Sequence, residues 1–252
     1  MSTRFLLAAA AMCDKAYSLK KAFQERCGMR DPLLREVCRY YHVPEDEGFL
    51  LAAHGKERFN AAWHAKKRAT HKDYVDFYSE TNFYCFRQPW YHRRHAWHAV
   101  LFLHRKKGRV LEFGCGMACM SRWLLARDRA MDITLADIPS STWDYVRRDL
   151  QGKVAFAPVE DNLPRLDGTY DIITCNEVLE HVPEPYALVA FLYEHLSRGG
   201  FLFIDFIKEQ GGPNLAESQA ERARTIAFLN GRLYPFSKID DRTVHGGIYR
   251  KP

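Results

Sequence analysis

The chain has 252 residues, 47% hydrophobic and 27% charged, with no low-complexity run; that length and balance bury a substantial core and exclude long-range disorder. The net charge of +6 is unevenly placed, because residues 1–108 hold 20 Lys/Arg against 11 Asp/Glu and eight of the eleven histidines, whereas residues 109–252 hold 17 against 20. Such asymmetry points to an anionic substrate, an acidic partner or nucleic acid, against the plain alternative of a solvated basic face.

The apolar run from Phe5 to Met12 passes without a small-residue cleavage site into the charged, helix-compatible Asp14 to Phe23, so it reads as the start of a helix and not as a secretory signal. No stretch approaches the roughly 20 apolar residues of a membrane span. Seven cysteines, at 13, 27, 38, 85, 115, 119 and 175, form no C-x-x-C pair and no zinc-like spacing. They read as reduced thiols, mostly small buried fillers, and the expected location is the cytoplasm, away from membranes. Segments 3–26, 31–42, 45–53, 56–69, 71–80 and 89–106 carry apolar residues at three- and four-residue spacing and predict helices, punctuated by Asp31-Pro32, Val43-Pro44 and Gln88-Pro89.

At Gly108 the pattern changes. Arg109 to Phe113 predicts a strand, Gly114 to Ala118 a turn and Cys119 to Arg127 a helix. Strands follow at Met131 to Ala136, Val154 to Ala157, Tyr170 to Cys175, Gly200 to Ile207 and Val244 to Lys251, with helices at Ser141 to Leu150, Tyr186 to Leu196 and Leu215 to Leu229. Strands alternating with helices imply an α/β fold around a mostly parallel sheet covered on both faces. The chain divides into a helical N-terminal cap, residues 1–107, and an α/β core, residues 108–252.

In such a sheet, ligands bind at the carboxyl ends of the strands, near the point where strand order reverses. Gly114 and Gly116 allow a sharp turn and a close approach of backbone to ligand. Glu112, two residues before the turn, sets a carboxylate where it meets a positively charged amino group and repels a pyrophosphate, which favours an amino-acid-bearing cofactor over a dinucleotide. Asp137 follows Gly116 by 21 residues at the end of the second strand, where an acidic side chain accepts from both hydroxyls of a ribose.

The stretch Val110 to Gly116, with Ala136-Asp137, Val159 to Pro164, Tyr170 to Val182 and Leu196 to Gly200, closely resembles class I S-adenosylmethionine-dependent methyltransferases, most of all the small-molecule group that includes the ubiquinone and biotin-pathway enzymes. The resemblance covers roughly residues 108–207 and implies a Rossmann-like, seven-stranded sheet, S-adenosyl-L-methionine as methyl donor and a small-molecule acceptor; it says little about which acceptor. It further implies that Glu112 and the backbone of Gly114, Cys115, Gly116 and Met117 hold the methionine part, that Asp137 binds the ribose and that Ile138 packs on the adenine. Val159 stands where the family often has an aspartate, which leaves Glu160, Asp161 or a backbone carbonyl to meet the adenine amine. Asn176, Glu177 and Val178 line the cofactor near its sulfur. His181, at the rim of the acceptor pocket, is the candidate base, with a structural histidine as the alternative.

Ahead of the first strand, helices at this position often close over cofactor and substrate in the family. Tyr78 and Tyr84 are placed to cover the sulfonium, Tyr84 joins His181 as a candidate catalytic residue, and Arg87, Arg93 and Arg94 are candidates for an acceptor carboxylate or phosphate. Glu177, Glu180 and His181 also match a metal-binding pattern of small-RNA 3′-terminal methyltransferases, with His245 as a fourth ligand; the same string occurs in metal-free relatives, and no metal is expected. The expected activity is methyl transfer to an oxygen or nitrogen of a small, anionic molecule. The alternatives are an RNA methyltransferase, metal-assisted through Glu177, Glu180 and His181, and a non-catalytic cofactor-binding module. No heptad or exposed stripe defines an oligomer.

Overall fold

The structure, a computed structural model, describes residues 31–66, 70–91, 108–126, 131–160, 163–208, 214–240 and 244–252. The expected helix 3–26 and most of 89–106, including Arg93 and Arg94, lie outside them.

Among the described residues four helices come first: α1 (Pro32–Tyr40), α2 (Glu45–Ala65), α3 (His71–Glu80) and α4 (Phe83–Tyr91). Their starts are written in side-chain chemistry. Asp31 caps α1 by accepting from the Leu33 N–H at 2.9 Å, with Pro32 in the first turn, and Thr70 and Asp73 form a reciprocal capping box at the head of α3. The sequence reading breaks α2 at Gly55, yet the helix runs through. A Cβ at Gly55 would stand 3.0 Å from the Phe83 ring, and one at Gly48 2.3 Å from the Cys38 sulfur. These glycines let α4 and α1 approach α2 closely; they do not end the helix. The sequence reading leaves 81–88 without a helix and starts one at Pro89, whereas α4 begins at Phe83 and carries Pro89 inside its last turn.

The core then alternates β1 (Gly108–Phe113), α5 (Cys119–Leu125), β2 (Met131–Asp137), α6 (Ser141–Leu150), β3 (Ala155–Pro158), β4 (Tyr170–Cys175), a 3-10 turn (Leu179–His181), α7 (Pro185–Glu194), β5 (Leu196–Ile207), α8 (Ala216–Arg232), β6 (Tyr234–Asp240) and β7 (Val244–Arg250). The seven strands make one sheet in the order β3-β2-β1-β4-β5-β7-β6. All neighbours are parallel except β7, which runs antiparallel to both β5 and β6. Strand order reverses between β1 and β4, where Glu112 stands beside Thr174; this is the crevice in which such sheets bind ligands. The sequence reading passes over β6, and it begins β5 at Gly200, whereas the strand starts at Leu196.

Side chains alternate across the sheet and divide the core in two. Val110, Ile133, Ile172 and Phe203 pack on one face with α5 and α6, and in the same cluster with Leu34, Val37, Ala52 and Phe86 of the N-terminal helices. Leu111, Ile173, Leu202 and Ile204 pack on the other with Leu188 and Leu192 of α7 and Leu229 of α8. A third, smaller cluster of Phe59, Trp63, Phe77 and Leu215 binds α2 and α3 together.

Candidate cofactor and active site

The loops after β1, β2 and β4 open on one cavity of about 380 Å³, within the range of small-molecule sites. The turn after β1 is pinned to its neighbour, because the N–H groups of Gly114 and Cys115 both donate to the Ala136 carbonyl, at 2.8 and 3.2 Å. Gly114 and Gly116 have φ of +64° and +49°. A Cβ at Gly114 would also stand 2.2 Å from Val178 Cγ2, so the loop after β4 closes on the turn only because no side chain intervenes.

Glu112 and Asp137 both face this cavity. Glu112 Oε2 accepts from the Ser121 N–H at 3.1 Å and from the Ser121 hydroxyl; Asp137 accepts from the Gly116 N–H at 2.6 Å and the Ile138 N–H at 2.8 Å. Burial pushes Glu112 up to about 7 against the pull of the Ser121 bonds, and pushes Asp137 up to about 6 against its two backbone donors. Each carboxylate therefore has an incentive to meet a cation or hydroxyl donors from a ligand. Cys115 is buried, and burial, with the charges of Asp137 and Glu112, pushes its thiol well up, which keeps it protonated and unreactive.

Of the residues singled out in the sequence, Cys115, Gly116, Ile138, Val159, Asn176, Glu177, Val178, His181, Tyr78 and Tyr84 also line the cavity. Ile138 and Val159, with Leu163, form an apolar end. Glu160 is exposed, and Asp161 lies outside the described residues. Met117 is fully buried and is not among the residues on the cavity wall; its N–H donates to Gln88 Oε1. The Arg87 guanidinium donates to the Ala52 carbonyl at 2.9 Å, tying α4 to α2, and Arg87 is not among the residues on the cavity wall.

The wall after β4 is acidic. Glu177 holds a left-handed φ of 54°, fixed by its N–H donating to Asp205 Oδ1 at 2.6 Å. Glu180 is fully buried, and neither of its carboxylate oxygens has a hydrogen-bond partner among the described residues. Burial, then the charge of Asp205, push it up to about 8, which favours its protonated form. His181 Nε2 lies 3.8 Å from Glu180 Oε1. His245 sits on β7 with Nδ1 3.3 Å from Asp240 and Nε2 3.4 Å from the Tyr249 hydroxyl. Among the described residues no group of three or more His, Cys, Asp and Glu is placed to hold a metal ion.

The opposite wall comes from the N-terminal helices: Tyr74, Val75 and Tyr78 of α3, and Tyr84 and Gln88 of α4. Tyr84 hydrogen-bonds Tyr78, and burial pushes its phenol well above 10. The sequence reading misses Tyr74 and Gln88, although each lies four residues from a tyrosine it names, one turn along the same helical face.

A family model described as a methyltransferase domain matches residues 87–238, more than half of the chain. A ubiquinone biosynthesis O-methyltransferase of Xanthomonas campestris pv. campestris is 31% identical over 99 residues, which cover 38% of this chain and 41% of that protein. One from Escherichia coli O7:K1 is 27% identical over 107 residues, covering 41% and 44%. The chain thus spans about two fifths of the length of the curated relatives it matches. Among solved structures, the N-methyltransferase NodS from Bradyrhizobium japonicum WM9, in complex with S-adenosyl-L-homocysteine, superposes with a TM-score of 0.54 at 14% identity over 71% of this chain and 97% of NodS, a likeness of fold. No described helix is long and apolar enough to cross a membrane. The strand order, the glycine turn between two cavity-facing carboxylates and the matched family model agree: the chain belongs to the methyltransferase-domain family, within the class I S-adenosyl-L-methionine-dependent methyltransferases.

Proposed function

We propose that this protein transfers the methyl group of S-adenosyl-L-methionine to an oxygen or nitrogen of a small molecule in the cytoplasm. The observation that carries the reading is the convergence of Glu112, the Gly114–Gly116 turn and Asp137 on one cavity. These residues fit the cofactor. Gly114 and Gly116 hold the left-handed φ that the tight turn needs, both carboxylates are short of full solvation, and the Ile138, Val159 and Leu163 end suits a flat apolar ring. Glu112 takes the ammonium, Asp137 the ribose hydroxyls, and Tyr78 and Tyr84 cover the cationic centre with their rings.

When bound, the cofactor supplies a methyl group already activated on a sulfonium. The chain has only to align the acceptor, exclude water and remove a proton where the acceptor needs it. His181, half-buried at the cavity rim, is the group for that proton. The anionic character of the acceptor rests on the basic segment ahead of β1. Arg93 and Arg94 would carry that contact, since among the described residues no Lys or Arg lines the cavity.

The test is titration calorimetry of metal-stripped protein with S-adenosyl-L-homocysteine, followed by transfer of labelled methyl from S-adenosyl-L-methionine to a panel of hydroxyl- and amino-bearing acids. Micromolar binding without added metal and label on a small molecule are expected. No binding with or without Mg²⁺ would sink the cofactor reading; label on RNA alone, with steep salt dependence, would replace the acceptor class.

A further inference from the structure

Gln88 reaches the glycine turn from outside the α/β core. It lies in the last turn of α4, and its Oε1 accepts from the Met117 N–H at 2.6 Å. A backbone N–H is only a donor, so this bond fixes which way the amide faces: oxygen on Met117, and the two hydrogens of Nε2 on the other branch. The amide also lies flat on Gly116, where an added Cβ would stand 2.1 Å from Oε1 and 2.4 Å from Nε2. Gln88 is half-buried in the cavity wall with Glu112, Gly114 and Gly116, and Nε2 has no acceptor among the described residues.

Given the cofactor reading above, on which this rests, the amino-acid end of the ligand brings one ammonium and one carboxylate to this turn. Glu112 and Asp137 attract the first and repel the second. We propose that Gln88 is a cofactor-binding residue, its Nε2 donating to the carboxylate of the cofactor's methionine part. The two charges are then divided between two elements, the ammonium held from β1 and the carboxylate from α4. A neutral amide suits the place. An arginine there would pair with Glu112 and take it from the ammonium, whereas glutamine donates without competing. Because α4 belongs to the helical segment ahead of β1, the same bond makes the ligand a brace between that segment and the glycine turn.

The experiment compares two probes by titration calorimetry on wild type, Gln88→Glu and Gln88→Ala: S-adenosyl-L-homocysteine, and 5′-methylthioadenosine, which lacks the amino-acid end. Gln88→Glu keeps an acceptor for Met117 but sets a carboxylate against a carboxylate. It is expected to weaken S-adenosyl-L-homocysteine by about tenfold or more while 5′-methylthioadenosine stays within about twofold. Gln88→Ala is expected to show the same selectivity with a smaller loss. Equal losses for both probes would make Gln88 a brace of the loop and nothing more, and an unaffected Gln88→Glu would overturn the proposal outright. Wild type that binds neither probe would remove the cofactor reading itself, an outcome visible before any variant is made.

Discussion

The two walls of the cavity are built by opposite means. On the core side, recognition lies in fixed polar atoms: Glu112 and Asp137 held by backbone donors, a glycine turn pinned to Ala136, and Glu177 held by Asp205. On the helical side the wall is a raft of rings, with Phe59 stacked on Phe83 at 4.7 Å, edge-on to Phe77 at 5.4 Å and to Tyr84 at 5.1 Å. Among the described residues a few polar pins cross between them, such as Ser79 to the Pro139 carbonyl at 3.0 Å and Tyr41 to the Ser141 carbonyl at 2.8 Å. On the proposed reading most polar contacts to the ligand come from the core wall, while the helical wall shapes and covers it and adds Gln88, so changes to the first fall mainly on affinity and changes to the ring raft on order.

The largest effect expected on that division is from Glu112→Ala with Asp137→Ala, which should weaken S-adenosyl-L-homocysteine beyond about 100-fold in titration calorimetry, each site losing a charge-assisted bond. Binding that survives in the double variant would move recognition off the core wall. Phe59→Ala empties the centre of the ring raft and should cost about 3 kcal/mol, read as a lower Tm. Hydrogen exchange should quicken in α2, α3 and α4 while β1 and β4 keep their protection; equal loss in the strands would show the two walls to be one cooperative unit. Gly114→Ala should cost about 2 kcal/mol, since it forces an L side chain into the left-handed region and against Val178. Thermal denaturation checks it.

The smallest effect is a pH slope that belongs to the core wall. Glu112 and Asp137 titrate higher in the folded chain than in the unfolded one, so the stability they contribute comes from their protonated forms. It is complete at about pH 4 and is lost as pH rises through 6 for Asp137 and 7 for Glu112. The ligand-free protein should therefore lose stability across that window, read as a falling Tm. Affinity for S-adenosyl-L-homocysteine should rise over the same window, because the ligand wants both groups ionised. Parallel slopes for stability and affinity would contradict the assignment of Glu112 and Asp137 to ligand contacts.

The same division sets what the sequence discloses. The core wall is legible because its work is done by backbone geometry and short-range spacing: Gly114 and Gly116 need left-handed φ, Glu112 comes two residues earlier, and Asp137 ends the next strand. The helical wall depends on which rings meet across three helices, and nothing local encodes that. Gly55 reads as a breaker, and Pro89 as the start of a helix, because the close approach that calls for a glycine at 55, and the packing that accommodates a proline in the last turn of α4, are tertiary facts. β6 is passed over because Tyr234-Pro235-Phe236 lies on a sheet edge with both rings exposed, at 69% and 37%, so no buried alternation marks it as a strand. Arg87 attracts notice by its charge, yet its guanidinium turns to Ala52; Gln88 beside it, uncharged and unremarked, faces the cavity.

The place of β7 in the sheet bears on how the molecule is made. β6 precedes β7 in the chain but lies outside it, so when β6 leaves the ribosome the strand that joins it to β5 does not yet exist. Until residues 244–250 emerge, the edge of β5 stands open along the buried stretch from Phe201 to Phe206, apolar but for Asp205, the kind of unpaired strand that recruits another chain. A nascent chain stalled within α8 or β6 should therefore be a client for chaperones, and the sheet can close only once β7 slides in as its keystone.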